Sequence, residues 1–340
     1  MAGAALRWGI VGYGWVARDY MAPGIMAAGG TVTAVADPSP ASRQRARTAG
    51  IAAFATVEEL IAAGVCDIVY VATPNDAHLA PVRACAAAGL PVLCEKPIAA
   101  TLAQAEAIAA AVDGRVLYGT AFDQRHHPAH AAMAQAIADG AIGRPVAVRI
   151  VYACWVDPAW VPAGATDGDA SDNWRADPVR AGGGAVIDLA LHGLDLAQRL
   201  LGEPLSQLAI QLQRRIHAYP VDDGGMLSGR TASGVLFQSH VAYNCAEVLP
   251  RRRLEVLGER GLLVATDTMG QTAGGTLTRR CGESGDETAL PFDGSRSPFT
   301  AQAAAFMAAV HGTPHDFSMP RDLALMRLFD HAYGDARRWL

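Results

Sequence analysis

Leu6-Arg7-Trp8-Gly9-Ile10-Val11-Gly12-Tyr13-Gly14-Trp15-Val16-Ala17 decides the fold. Residues 6–11 form an apolar run that reads as a buried strand, and residues 16–28 read as a helix. Between them, Gly12 permits a tight turn and Gly14 lets the backbone approach a pyrophosphate. Ala17 is small enough for close packing of helix on strand. A helix that opens here offers free N–H groups to phosphates, so Gly12, Tyr13, Gly14, Trp15 and Val16 are read as a dinucleotide site. A merely tight turn competes with this reading, and the strand–turn–helix setting favours the nucleotide.

The same rhythm continues outward. Strands are expected over 31–36, 67–72, 92–93 and 116–120, and helices over 41–49, 77–88 and 102–112. Alternation of this kind means βαβ units, a parallel sheet and a doubly wound nucleotide-binding domain over 1–122. The pattern changes over 123–340. A helix at 129–138 and a strand at 145–153 precede a Gly, Asp and Pro-rich stretch over 157–184, long enough to be a functional loop. One strong helix follows at 185–201. Strand-like runs at 207–216, 234–242, 253–257, 262–265 and 276–279 have no helices between them, which suggests an antiparallel sheet. Helices near 300–310 and 321–337 close the chain and are free to pack back on the first domain. The expected class is α/β: a Rossmann domain followed by a second α/β domain.

The bulk composition excludes other classes. The chain has 340 residues, 51% hydrophobic and 18% charged, with 28 basic against 33 acidic residues and a formal charge of −5. No basic cluster points to nucleic acid. The apolar start carries Arg7 and runs straight into the glycine turn, so it reads as a strand and not a signal peptide. No apolar run is long enough to span a membrane. The six cysteines are scattered, without the close pairing of a zinc or redox motif, and suit reduced thiols in a cytoplasm.

Several positions carry candidate chemistry. Asp37 ends the second strand, where an acid reaches ribose hydroxyls and repels a 2′-phosphate, favouring NAD over NADP. Arg43 and Arg45 nearby soften that preference and keep NADP open, and capping of the next helix is the competing role for Asp37. Thr73-Pro74-Asn75 ends the next strand, where it can border a nicotinamide, with His78 in the following turn. Cys94-Glu95-Lys96-Pro97 follows a short strand. Pro97 restricts Lys96 to extended conformations, so the only lysine of the chain is aimed from the carboxyl end of a strand. Gly182-Gly183-Gly184 leads into a helix on which Asp188, His192 and Asp195 share one face. A buried polar stripe is paired or functional. A satisfied core network and a metal site compete with a proton-transfer site, but no third metal ligand at sensible spacing is visible, so no metal is expected. Trp174-Arg175 suits a nicotinamide and a phosphate, with simple packing as the rival. His126, His127 and His130 read as a solvated or capping cluster, with Arg125 turned to the cleft.

Together these residues resemble the glucose–fructose oxidoreductase / inositol dehydrogenase family (Gfo/Idh/MocA). The resemblance runs through Gly12-Tyr13-Gly14, Asp37, Thr73-Pro74-Asn75, Glu95-Lys96-Pro97, Trp174-Arg175, Gly183-Gly184, Asp188 and His192, and through 254–261, which looks like the family's second-domain hairpin. It implies that the second domain's sheet is large, open, mostly antiparallel and the face of homodimers or homotetramers. It implies NAD(P)-linked oxidation of a sugar or cyclitol hydroxyl, or reduction of the ketone. By the same resemblance Lys96 polarises the reacting oxygen, His192 is the acid/base, and Asp188 binds substrate and helps orient His192. Glu95, Trp174 and Arg175 join the cofactor set, and a cis Lys96-Pro97 bond is expected. The stretch around 269–277 looks closer to 1,5-anhydrofructose reductases than to inositol dehydrogenases, but Asp37 departs from their NADP preference, so that substrate is not carried over. Arg125, Tyr243 and the loop over 157–177 are expected to set substrate identity. A non-catalytic sensor on the same fold and an NAD-dependent glycoside hydrolase are the alternatives.

Overall fold

The computed structural model describes residues 5–156 and 173–337. Its first sheet contains β1 (Arg7–Val11), β2 (Thr31–Ala36), β3 (Ala52–Phe54), β4 (Ile68–Val71), β5 (Val92–Cys94) and β6 (Tyr118–Thr120). The order is β3-β2-β1-β4-β5-β6, and every pair is parallel. β4 and β5 are buried at every position, as expected of strands covered on both faces. The chain reverses direction across the sheet between β1 and β4, so a crevice opens there at the carboxyl ends of the strands. Gly12 turns the chain into that crevice with φ +88°, and a Cβ on it would come 2.7 Å from the Ala72 backbone. Glycine is the residue that meets both demands.

Two elements of this half lie outside the expected pattern, β3 and the helix Val57–Ala62. Both are short, and alanine-rich sequence gives them little periodicity. The helix does carry a local signal: Thr56 accepts from Glu59 N, and Glu59 reaches back to Ala55 N at 2.8 Å, an arrangement close to a capping box.

The second sheet contains β7 (Pro145–Ala153), β8 (Leu205–Gln213), β9 (Gly224–Thr231), β10 (Leu236–Ala242), β11 (Arg252–Gly258), β12 (Gly261–Thr266), β13 (Thr276–Cys281) and β14 (Glu287–Ala289). Its order is β14-β13-β12-β11-β7-β10-β9-β8. All pairs are antiparallel except β7 with β10, which run parallel. The stretch over 254–261 does form a hairpin, with Gly258 opposite Gly261. β9 was not expected, because Gly224-Gly225-Met226-Leu227-Ser228-Gly229 is poor in β-formers. Pairing on both edges holds it in place instead. β11 alternates buried with half-exposed residues, so one face of the sheet packs inward on the helical segment over 186–201.

The closing helices tie the two sheets together. Pro298–Val310 lies on the first half: Trp8 and Phe306 have ring centroids 6.0 Å apart, and a Cβ on Gly24 would come 3.0 Å from the Phe299 backbone. Met319–Ala336 spans both halves, with Arg327 paired to Glu106 at 2.9 Å and the Tyr333 hydroxyl donating to Asp222. The six cysteines are free. No helix among the described residues is long and apolar enough to cross a membrane.

Candidate active site

A cleft of about 590 Å³ opens between the carboxyl ends of β1, β4 and β5 and the inner face of the second sheet. Gly14, Trp15 and Val16 form one wall. The backbone over Ala17–Met21 is π-helical, and so is Val186–Ala190 on the opposite wall. Such widened turns recur at functional sites. The loop fits a dinucleotide: Gly14 borders the cleft, and a Cβ there would meet nothing within 4 Å. Asp37 lies behind this loop, nearly buried, and accepts from Tyr13 N at 2.7 Å and Ser39 N at 2.8 Å. Ser39, not Asp37, caps the following helix. Arg43 is held by the carbonyls of Asp37 and Pro38 at 2.8 and 2.7 Å.

Glu95 and Lys96 leave the end of β5, and the Lys96-Pro97 bond is cis. The Tyr70 hydroxyl donates to Glu95. Burial pushes the Glu95 carboxyl above the usual range, against the pull of Lys96 and Tyr70. Lys96 Nζ donates to Asp188 Oδ1 at 2.7 Å and to the Asp188 carbonyl at 2.9 Å. That carbonyl belongs to the π turn, whose backbone bonds run i→i−5 in place of i→i−4. Tyr243 donates its hydroxyl to Asp188 Oδ2 at 2.6 Å, and Arg175 Nε lies 4.0 Å from Oδ1. Burial would raise the Asp188 carboxyl, but Lys96 and Arg175 overcome it and hold the group well below the carboxylate range. Asp188 is therefore an anion with fixed partners. Arg175 also stacks over Trp174 at 4.3 Å and Trp15 at 5.7 Å, so these side chains meet beside the glycine loop.

The three glycines before this helix are there for packing. A Cβ on Gly183 would come 2.2 Å from the Tyr333 hydroxyl, and one on Gly184 would come 2.0 Å from the Asp222 carbonyl. Asp222 accepts from Gly184 N at 3.0 Å and Val186 N at 2.7 Å. A buried carboxylate thus caps the start of the segment that carries Asp188 and His192.

His192 borders the cleft, and its partner is Asp123: Nδ1 lies 2.9 Å from Asp123 Oδ1. Gln124 Nε2 donates to the other Asp123 oxygen at 2.8 Å. Burial pushes Asp123 up, yet His192 and Gln124 hold it below the usual carboxylate range. The expectation that Asp188 orients His192 is therefore corrected. Asp188, within the π turn, pairs with Lys96, and Asp123, in the turn after β6, takes the imidazole. Asp123 was missed although it follows β6 at the carboxyl edge of the sheet, the position that drew attention to Lys96.

Other expectations need correction. Arg125 does not line the cleft. It is buried and paired with Asp195 at 2.7 Å and with Asp316, so Asp195 belongs to a core network and not to the polar stripe of the site. His78 is also buried, its ring nitrogens each 3.1 Å from the carbonyls of Thr73 and Ile98. It fixes the strand-end loop from behind and does not border the cleft. His127 and His130 are buried, not solvated. His127 caps its helix by accepting from Ala129 N, and His130 meets Thr268 and the Gln124 carbonyl at 2.8 Å. Burial lowers His127 to about 4 and His130 to about 3, so both stay neutral. Thr73, Asn75, Trp174, Arg175 and Tyr243 line the cleft, whereas Gly12, Tyr13, Asp37 and Pro74 stand behind it. The first part of the 157–177 loop lies outside the described residues. Tyr152, Cys154 and Arg252 line the cleft without having been anticipated. Burial pushes the Cys154 thiol up to about 12, so it is a neutral wall. Among the described residues no cluster could hold a metal ion.

Residues 6–118 match the family model described as "Oxidoreductase family, NAD-binding Rossmann fold", and 130–264 match the GFO/IDH/MocA C-terminal domain. The chain belongs to the GFO/IDH/MocA family. It is an NAD(P)-dependent oxidoreductase by that membership. Within the family it is 36% identical over 315 residues to a 1,5-anhydro-D-fructose reductase of Ensifer adhaerens, covering 91% of this chain and 90% of the relative. It is 32% identical over 273 residues to an inositol 2-dehydrogenase of Acidiphilium cryptum, covering 78% of this chain and 75% of that one. Among solved structures, a levoglucosan dehydrogenase in complex with NADH and levoglucosan superposes with a TM-score of 0.84 at 22% identity, covering 98% of both chains. The resemblance read from the sequence is thus correct at the level of family and fold.

Proposed function

We propose that this chain transfers a hydride between a nicotinamide nucleotide and a hydroxyl-bearing or keto carbon of a sugar, sugar derivative or cyclitol. The observation that carries this reading is the convergence of Lys96, from the first sheet, and His192, from the helix on the second, on one cleft beside the glycine loop. When bound, the nicotinamide supplies the two-electron acceptor or donor. The chain's own residues handle the oxygen and its proton. Lys96 Nζ donates to the reacting oxygen and stabilises the negative charge that builds there. His192 Nε2 takes the hydroxyl proton in oxidation and returns it in reduction. Asp123 holds the imidazole from Nδ1 and stays anionic to balance the imidazolium. Asp188 aims Lys96, with Tyr243 fixing its second oxygen. Gly12, Tyr13, Gly14, Trp15, Val16, Asp37, Thr73, Asn75, Glu95, Trp174 and Arg175 make the nucleotide side of the site. The sugar class is supported by relatives named as anhydrofructose reductase and inositol dehydrogenase. Self-association through the outer face of the eight-stranded sheet, where Met226 and Leu236 are exposed, belongs to the same reading.

The direct test mixes the protein with NAD and a panel of aldoses, anhydrosugars and cyclitols and follows the absorbance of the reduced nucleotide. Steady growth with at least one sugar is expected. Sugar release without net reduction points instead to a glycoside hydrolase, and silence across the panel in both directions contradicts the reading.

Two variants probe its parts. Asp37→Ser removes the carboxylate that faces a 2′-phosphate, so the NAD/NADP ratio of kcat/KM is expected to fall by about tenfold or more. An unchanged ratio makes Asp37 a tie for the Tyr13 and Ser39 amides only. Asp123→Asn removes the anion at Nδ1. Turnover is expected to fall by about tenfold to a hundredfold, with the acidic limb of kcat/KM moving to lower pH because the proton-loaded imidazole loses its counter-ion. An acidic limb that stays in place shows that Asp123 merely packs against the ring.

A further inference from the structure

One charge on the cleft wall has no answer among the described residues. Arg252 opens β11 and borders the cleft. It stands opposite Tyr152 in the antiparallel pairing of β11 with β7. Directly opposed residues share a face, with Cβ atoms about 5 Å apart. Tyr152 in turn meets the His192 ring edge-on at 5.8 Å. The guanidinium therefore stands one side chain away from His192, on the second sheet's side of the cleft. The loop beside it makes room for this placement: Gly270 has φ +140°, and a Cβ there would come 2.6 Å from Arg252 Nη1.

Arg252 Nε is buried without a hydrogen-bond partner, and its side chain makes no ion pair among the described residues. Its neighbours on the wall are all engaged. Asp19 pairs with Arg18, Lys96 and Arg175 face Asp188, Asp123 faces His192, and Glu247 pairs with Arg251 at 3.0 Å. A half-buried arginine that borders the cleft without a carboxylate partner is satisfied when an anion enters that cleft. Guanidinium geometry suits a two-oxygen anion, to which it donates two parallel hydrogen bonds.

We propose that Arg252 is a specificity-determining residue that binds an anionic group of the substrate, a carboxylate or a phosphate, so that the enzyme prefers an acidic sugar to its neutral counterpart. This rests on the oxidoreductase reading of the cleft and names the substrate class within it. It also accounts for the fate of Arg125: the arginine facing substrate comes from β11 and not from the segment after β6.

The test measures binding apart from turnover. Calorimetry on the protein–NADH complex compares D-glucuronate with its methyl ester, and D-glucose 6-phosphate with D-glucose. At least one anion is expected to bind about tenfold tighter than its neutral partner, and the pair that shows the preference tells carboxylate from phosphate. Arg252→Gln is expected to erase the preference and Arg252→Lys to keep part of it. Equal binding within both pairs, or a preference that survives Arg252→Gln, overturns the assignment. A preference without turnover of any sugar sinks the oxidoreductase reading and leaves Arg252 as an anion site. Turnover of neutral sugars without an anion preference does the reverse.

Discussion

Lys96→Met is expected to lower turnover by at least about a hundredfold while NAD affinity stays near that of the unaltered protein. Methionine keeps the length and apolar stem of lysine and removes only the ammonium. That ammonium is the cation held at 2.7 Å from Asp188 on the cleft wall, and no other lysine exists in the chain to replace it. The glycine loop that takes the nucleotide is built from β1 and its turn, so it does not depend on Lys96. His192→Ala is expected to lose as much for a different reason: the proton on the reacting oxygen loses its acceptor, while Asp123 keeps its bond from Gln124. Single-turnover and steady-state rates check both variants, with nucleotide affinity from fluorescence titration. Turnover comparable to the parent in both would end the proposed roles.

Gly184→Ala is expected to be the most damaging single methyl in the site. The added Cβ would stand 2.0 Å from the Asp222 carbonyl. That backbone cannot retreat easily, because Asp222 is tied to Gly184 N, Val186 N and the Tyr333 hydroxyl. Overpacking against a fixed backbone costs about 3 kcal/mol, which in a chain of 340 residues lowers Tm by about 4 °C. Activity should fall further than stability, because the segment carrying Asp188 and His192 starts at this glycine. Gly14→Ala is the contrasting variant. Its Cβ would meet nothing within 4 Å and projects into the cleft, so the melting temperature should hold while nucleotide affinity drops. Equal melting temperatures for parent and Gly184→Ala would show that the glycine run is not a packing requirement.

Much of the fold was legible because its signals are local. The glycine turn after β1, the buried strands β4 and β5 and the run over 145–153 each declare themselves within a few residues. Lys96 and His192 were legible for the same reason, one aimed by a proline and the other standing on an apolar helix. What was hidden depends on contacts between distant segments. β9 is a strand because its neighbours pair with it, and its glycines argue against it. Asp123 became the partner of His192 while Asp188, inside a π turn, pairs with Lys96, and a widened turn leaves no mark in a pattern of i, i+4 spacings. Arg125 drew attention by its neighbours, yet Asp195 and Asp316 capture it. Arg252 gave no sign, since its place beside Tyr152 is a matter of register between strands about a hundred residues apart.

The most direct measurement follows the hydrogen itself. A sugar accepted by the enzyme is prepared with deuterium on the carbinol carbon and incubated with NAD. The deuterium is expected to appear in the reduced nucleotide, in step with ketone formation, and the label is expected to slow the single-turnover rate. Reduced nucleotide that carries no deuterium, or product formed with no reduction of NAD, would contradict the hydride-transfer reading.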